Sequence, residues 1–334
     1  MVSLKEIAKS CGVSTATVSK ALNNKEDIAK ATRERIQKKA AEMGYMLDAS
    51  ARALRTKRTY NIGVLYNDTK NAGLAHEYFS SILESFKKTA ETSGYDITFI
   101  THTIDGKEST YLKHCEYRSF DGVAVILADF TDPEILELVH SDLPVVTIDY
   151  IYDDCPAVVS DNTRGLQELV RYAVSRGHRR LAYIHGEMTE VTRNRMMGFY
   201  SACRLEGIEI EEKYILESDY HDIEMCAERT RELLAMPDLP DCIIFPDDYS
   251  YLGALQVLAE KGLTPGKDIS VMSYDGIQLA KAIGLTTYEQ DTNALGRIAC
   301  RRLIEAIEDP EAIVEHSVVM GKLIEGRTVT QKQV

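Results

Sequence analysis

The sequence predicts an all-α head with a helix-turn-helix, joined to an α/β body built as two parallel-sheet lobes. Three observations predict it. The first 24 residues hold a capping signature, a turn glycine and a short hydroxyl-rich stretch at helical spacing, "GVSTATVSKALNN". Residues 1–60 carry 13 Lys and Arg against 6 Asp and Glu, a net of +7, while residues 61–334 carry 26 against 46, a net of −20. From Tyr60 onward, apolar strand-like runs alternate with amphipathic helical stretches, in two successive series.

The bulk numbers narrow the classes. A chain of 334 residues with 44% hydrophobic and 27% charged residues can bury full cores and is not disordered. No apolar run approaches the ~20 residues of a membrane helix. The start "MVSLKEIAKS" lacks the apolar centre of a secretory signal, so a cytoplasmic location with no membrane partner is expected. Seven cysteines stand singly without CxxC or CxxH spacing, which argues against zinc and a disulfide framework. A basic head on an acidic body separates a polyanion-binding part from the remainder, although charge alone also fits a solvated basic face.

In the head, Ser3-Leu4-Lys5-Glu6 has the form of a capping box, so a helix starts at Leu4. Leu4, Ile7 and Ala8 share a face, and Cys11-Gly12 ends the helix. Ser14 caps the next helix, Thr15 to about Leu22, whose Val18, Ala21 and Leu22 face inward with Val13 and Thr17. A third helix follows Thr32, with Ile36, Ala40 and Met43 closing a small core up to Gly44-Tyr45. Two short helices about a glycine turn form a helix-turn-helix, whose second helix enters the major groove of double-stranded DNA. Thr15 and Ala16 lie at its leading end and Lys20 one turn on. Thr can bond bases or touch a thymine methyl, Ala only the latter, and Lys reaches guanine acceptors. Ser14, Thr17, Ser19 and Asn24 fit backbone positioning. A structural helix pair without DNA is the plainer alternative.

The following "DASARALRTKRTYNIGV" holds an alanine-rich stretch, Ala49 to Thr56, too short to be a stable helix alone in water. Leu54 is its one large apolar side chain, between Arg52 and Arg55. A lone leucine among arginines suits a minor-groove wedge. It equally suits a linker whose leucine packs on the next domain.

These stretches carry a resemblance. "SLKEIAKSCGVSTATVSKALNN", "ATRERIQKKAAEMGY" and "ASARALRTKRTYNIGVL" resemble the DNA-binding head and hinge of the lactose/galactose repressor (LacI/GalR) family of bacterial regulators. "DNTRGLQELVRYAVSRGHRRLAYIHG", "RNRMMGFYSACRLEGI", "FPDDYSYLGALQVLAEKG" and "ISVMSYDGIQLAKAIGLTTYEQDTNALGRIA" extend it over essentially the whole chain. The resemblance implies base-reading positions at Thr15, Ala16 and Lys20 and a hinge leucine inserted between base pairs at Leu54. It implies a head over 1–47, a hinge helix and linker over 48–60, and a periplasmic-binding-protein-like body over 61–334. The expected N-lobe spans about 61–161 and 291–320, and the C-lobe about 162–290 and 321–334.

In the body, "NIGVLY", "DITFIT", "GVAVIL" and "PVVTID" read as one strand series, and "RRLAYIHG", "YILESD", "DCIIFP" and "ISVMSYD" as a second. The break falls near Asp161-Asn162. A ligand between two such lobes meets the carboxyl ends of the strands. Asp149, Asp247, Asp248 and Asp275 stand there, and Arg195 lies on the helix "TRNRMMGF". Carboxylates beside an arginine bind vicinal hydroxyls, which suits a sugar. The resemblance carries Arg195, Asp247 and Asp275 onto effector-contacting positions, with Asp149 in the same region. Many sugar-responsive members have asparagine where Asp247 stands. Asp248 and Asp161 read better as caps; Asp149 reads either way.

The segment "NAGLAHEYF" offers His76, Tyr78 and Phe79 to an effector ring, although Tyr78 and Phe79 also fit a helix core. "HEYFS" is not HExxH, so no metal is expected. "GLTPGKD" lacks the spacing of a phosphate loop, and no Gly-x-Ser-x-Gly occurs, so neither catalysis nor a cofactor is expected. The tail "GRTVTQKQV" has no leucine heptads, so the extra tetramerisation helix of the family it resembles is not expected; a homodimer is, and its two-fold symmetry calls for a near-palindromic operator. The chain thus reads as a repressor controlled by a sugar-like effector. The alternative is a corepressor user, binding a purine or a partner phosphoprotein.

Overall fold

The structure is a computed structural model that describes residues 2–25, 27–45, 53, 56–68 and 73–332. Arg52, Leu54 and Arg55, the expected minor-groove residues, lie outside the described residues. The chain divides after Thr59 into two compact units.

The first unit holds helices α1 (Leu4–Cys11), α2 (Thr15–Leu22) and α3 (Lys30–Glu42). The capping box forms as its residue types dictate. Ser3 N–H donates to Glu6 Oε2 at 2.7 Å, and Glu6 N–H donates to Ser3 Oγ at 3.4 Å. Gly12 turns the chain at φ +66°, a conformation that costs a side-chain-bearing residue, and its N–H closes α1 on the Ala8 carbonyl. Ser14 Oγ accepts from Thr17 N–H at 3.1 Å and caps α2. Ile7, Ala8, Val18, Ala21, Ile36 and Ala40 form the buried centre. The third helix starts earlier than its threonine suggests. Lys30 and Ala31 are good helix formers, so Thr32 falls inside the first turn, and Ala29 at the cap makes no side-chain bond.

The second unit begins with β1 (Asn61–Tyr66), α4 (Glu77–Thr92) and β2 (Asp96–Phe99). A small hairpin of β3 (Thr103–Ile104) and β4 (Lys107–Glu108) follows, then α5 (Tyr111–Arg118), β5 (Gly122–Leu127), α6 (Pro133–Val139), β6 (Val145–Ile148) and β7 (Ala157–Ser160). The chain then builds α7 (Asn162–Ser175), β8 (Leu181–His185), α8 (Glu190–Leu205), β9 (Ile215–Glu217) and α9 (Ile223–Leu234). β10 (Cys242–Ile244), α10 (Tyr251–Glu260), β11 (Ser270–Asp275), α11 (Gln278–Ile283) and β12 (Thr286–Glu289) complete that series. It ends with α12 (Thr292–Glu308), β13 (His316–Val319) and β14 (Lys322–Ile324).

Two six-stranded sheets result, ordered β13-β7-β6-β5-β1-β2 and β14-β12-β11-β10-β8-β9. All neighbours run parallel except β12 and β14. Helices cover both faces of each sheet, so the central strands are buried throughout and carry continuous apolar runs. The apolar cores sit on either side of each sheet. In each sheet the strand order reverses about its first strand, between β1 and β5 and between β8 and β10. Crevices at such reversals open at the carboxyl ends of the strands, where ligands bind in folds of this kind.

The chain passes between the lobes after β7, after β12 and after β13. β7, β12, β13 and β14 lie outside the two strand series read from the sequence. α12 packs on α4 of the first lobe, and β13 closes the edge of that lobe's sheet against β7.

Helices α7 and α8 cross closely at Gly198. A Cβ built there stands 2.1 Å from the Thr163 carbonyl oxygen, a backbone atom that cannot swing aside. Gly198→Ala is therefore expected to destabilise the body by about 1–3 kcal/mol, seen as a lowered denaturation midpoint of the full chain with helix content retained.

Candidate DNA-reading helix and effector cleft

In the head, the cap and the buried face of α2 decide which side chains remain outward. Val18 and Ala21 are buried, whereas Ser14, Thr15, Ala16 and Lys20 are exposed and Thr17 and Ser19 half-buried. The leading turn thus presents one hydroxyl and one methyl, with an ammonium one turn on. Lys20 Nζ pairs with Asp27 Oδ2 at 2.5 Å, both side chains about half exposed. Such a surface pair contributes little and yields readily to a phosphate or a base edge. Asn24 is held differently from a free phosphate contact. It takes φ +53°, its side-chain oxygen accepts from Gln37 Nε2 at 2.8 Å, and its carbonyl accepts from Arg33 at 3.2 Å. It ties the end of α2 to α3.

In the body, the strand ends bring polar groups together between the lobes. Arg195, on the inner face of α8, is 4% exposed. Its Nε donates to Asn162 Oδ1 at 2.9 Å, Nη1 donates to the Pro246 carbonyl at 2.9 Å, and Nη2 lies 3.6 Å from Asp275 Oδ1. The guanidinium stands 3.7 Å from the Tyr274 ring centre and 5.3 Å from that of Tyr220. A buried charge with three oxygen neighbours and two π faces is held in one orientation. Gly186 makes room for Tyr220, since a Cβ there would come within 2.4 Å of the ring.

Asp275, at the end of β11, accepts from Gln290 Nε2 at 2.7 Å. Burial pushes its carboxyl up to about 7; Arg195 opposes the shift, Asp247 and Asp149 add to it, and Gln290 opposes it. Across the cleft, Asp149 Oδ2 accepts from Tyr78 OH at 2.7 Å and Oδ1 from Ser160 N–H at 3.2 Å. Burial raises this carboxyl as well, against the Tyr78 and Ser160 bonds and Arg195. Both aspartates have positive φ, +60° for Asp149 and +102° for Asp275. Backbone strain of that kind concentrates at functional sites.

Asp247 departs from its expected place at an effector. Its carboxylate accepts from the N–H groups of His221 at 3.0 Å, Tyr249 at 2.9 Å and Ser250 at 2.7 Å, and from Ser250 Oγ at 2.7 Å. Four donors take up its lone pairs, so in this arrangement it pins the turn into α10 to the loop after β9. Asp248 serves the fold too, accepting from Thr287 Oγ1 at 2.7 Å and Ile277 N–H at 2.9 Å, and Asp161 caps α7.

His76 and Phe79 are half-buried and are not among the residues that line the cavity beside Tyr78. Their rings lie 4.7 Å apart at 62°, and His76 stacks on His221 of the other lobe. The sequence reading missed Asn162, Tyr220, His221, Tyr249, Tyr274 and Gln290. Tyr220 and His221 follow a strand it had found, so the strand-end rule extended a few residues would have reached them. Gln290 follows β12, which it had not.

A cavity of about 450 Å³ opens beside this cluster, lined by Tyr78, Asp275 and Gln290 together with Glu77, Lys281 and Glu289. A more open depression of similar volume over Asp161–Arg171 lies on α7 and shares none of those groups. Among the described residues no group of three His, Cys, Asp or Glu side chains is placed to hold a metal ion, and no helix is long and apolar enough to cross a membrane.

Comparison with known proteins adds to this geometry. Residues 3–47 match the family described as bacterial regulatory proteins, lacI family, and residues 170–329 match a periplasmic binding protein-like domain. The chain is similar to the HTH-type transcriptional repressor PurR of Vibrio vulnificus, 28% identical over 319 residues and 93% of each chain. It is likewise similar to PurR of Pectobacterium carotovorum, 29% identical over 342 residues, 98% of this chain and 97% of that one. A lac repressor dimer bound to operator and the anti-inducer ONPF shares the fold, with a TM-score of 0.78 and 24% identity over 98% of this chain and 99% of that one.

Asp275 makes the body's stability depend on pH in a definite direction. An aspartate with a folded pKa near 7 holds its proton in the fold and gives it up on unfolding, where 3.8 applies. Its contribution is fully present below about 4 and is lost as pH rises through about 7. The melting temperature of Asp275→Asn minus that of the parent is therefore expected to climb between about pH 4 and pH 7 and then level off. A difference flat with pH in a thermal-denaturation series would contradict this.

Proposed function

We propose that this chain, which belongs to the lacI family of bacterial regulatory proteins and is a DNA-binding transcriptional repressor rather than an enzyme, acts in the cytoplasm as a homodimer. Its two heads read the halves of a near-palindromic operator, and a small carbohydrate-like effector between the lobes controls their grip. The observation that carries the reading is the outward leading turn of α2, where Thr15, Ala16 and Lys20 stand clear of a buried Val18 and Ala21. Small and flexible polar side chains there can approach base edges closely. Ser14, Thr17 and Ser19 then face the phosphates, and Leu54 with Arg52 and Arg55 enters the minor groove.

For the effector, Arg195 on α8 and Asp275 at the end of β11 supply a forked donor and an acceptor, with Asp149 and Tyr78 opposite. Donor and acceptor groups so paired suit vicinal hydroxyls. Lobes that close on a ligand differ from open ones in their affinity for it, and that difference sets how far the DNA-bound population shifts. A second reading has specific support. Two of the relatives matched over nearly their whole length are named PurR, and three tyrosines stand in the cluster, Tyr220 and Tyr274 on Arg195 and Tyr78 on Asp149. A purine acting as corepressor would stack on such rings.

The test is selection of bound duplexes from a random pool, followed by titration of sugars and purines at fixed salt. A sugar inducer lowers operator affinity and a purine corepressor raises it. Lys20→Ala is expected to weaken operator binding by about 1–3 kcal/mol while changing non-specific binding far less, in competition binding at one ionic strength. Equal losses on both duplexes would remove Lys20 from base reading.

A further inference from the structure

Three consecutive residues at the start of α4 reach across to the other lobe. His76 stacks on His221 with ring centres 3.5 Å apart and planes at 24°. Glu77 Oε1 accepts from Gln278 N–H at 2.7 Å, and Tyr78 OH lies 3.4 Å from Gln290 Oε1. The rings continue on both sides. Phe79 meets His76 edge-on at 4.7 Å, and Tyr249 lies parallel to His221 at 4.5 Å and 11°. Phe79, His76, His221 and Tyr249 thus form one column of four rings running from one lobe to the other.

We propose that His76 and His221 are positioning residues for the effector cleft: their stacked rings hold the lobes closed while both are neutral, and a proton on either parts them. Two imidazoles at 3.5 Å leave no room for a counter-ion between them. His76 Nδ1 is buried and has no hydrogen-bond partner, so a proton added at His76 brings a charge into a place that does not solvate it. The facing groups come from several elements. Asp68 after β1 and Asp247 after β10 attract a proton, Glu77 lies next in the chain to His76, and Tyr249 stacks on the far side of His221. Asp247 is already engaged by four donors. Burial prevails. It brings His76 down to about 4, with His221 adding to the effect, and lowers His221 as well, in both cases against Asp247 and Asp68. A histidine that titrates lower in the closed form than in the open one favours closure above its open-form value and opposes it increasingly below. The consequence for effector binding rests on the cleft reading above; the closure itself does not.

The test needs neither DNA nor effector, so its failure leaves the proposed function standing. Hydrogen exchange at the Gln278 amide of the full chain, corrected for intrinsic rate, reports the bond between lobes. From about pH 7.5 to about pH 4.5 the parent chain is expected to lose at least about tenfold in protection, as one unit of pKa difference implies. The double variant His76→Phe/His221→Phe, which stacks without titrating and keeps Glu77, is expected to retain it. Unchanged protection in the parent, or an equal loss in the double variant, overturns the proposal. Should the double variant not fold, imidazole resonances of the parent decide. Midpoints below about 6.5, with each histidine's shift disturbed by the other's titration, support the column. Independent titration at the ordinary value overturns it.

Discussion

The body is organised around a buried cation. Arg195 cannot be left in a protein interior without partners, because an uncompensated charge there costs several kcal/mol. Its partners come from four places: Asn162 at the start of α7, Pro246 after β10, Tyr274 and Asp275 at the end of β11, and the ring of Tyr220 after β9. Each must arrive at the same point, and the close approaches follow from that need. Gly198 lets α8 lie against α7 so that Asn162 reaches the guanidinium, and Gly165 leaves space where a Cβ would fall 2.1 Å from the Tyr274 hydroxyl. The same convergence puts carboxylates of both lobes near one another with a single arginine between them. Burial raises both Asp275 and Asp149 against the pull of Arg195, and the neighbouring Asp247 and Asp149 add to the shift of Asp275.

Much of this was legible in the chain. Ser3, Glu6, Gly12 and Ser14 carry their own geometry, because a capping box and a left-handed glycine are local devices that act within a few residues. The central strands were equally plain, since burial on both faces leaves unbroken apolar runs such as "GVAVIL". The late strands were not. β13 is exposed at its start, and β12 and β14 are three or four residues long. Their pairing partners are set by topology rather than by any pattern within them.

The site divides along the same line. Residues immediately after recognised strands, Asp149 and Asp275, could be named from position. What each carboxylate bonds to could not, because the donors come from distant segments. Asp247 shows the difference: its neighbours in sequence, Tyr249 and Ser250, and the remote His221 turn a candidate ligand group into a fastening for two loops. Gln290 was unreadable because the strand before it was. Tyr220 and Tyr274 look like ordinary core aromatics until Arg195 is seen between them.

The last strands of the chain have a bearing on how the molecule comes into being. β13 belongs to the sheet begun by β1, more than 250 residues earlier, and β14 completes the edge of the other. The head has its whole core within its first 45 residues and can consolidate as soon as it clears the ribosome. The first lobe cannot, for its sheet lacks an edge and its α4 lacks the covering α12 until α12 and β13 have been made. During synthesis the nascent polypeptide therefore carries a finished nucleic-acid-sized module ahead of an unfinished sheet. The edge of β7 stays unpaired until β13 has been made.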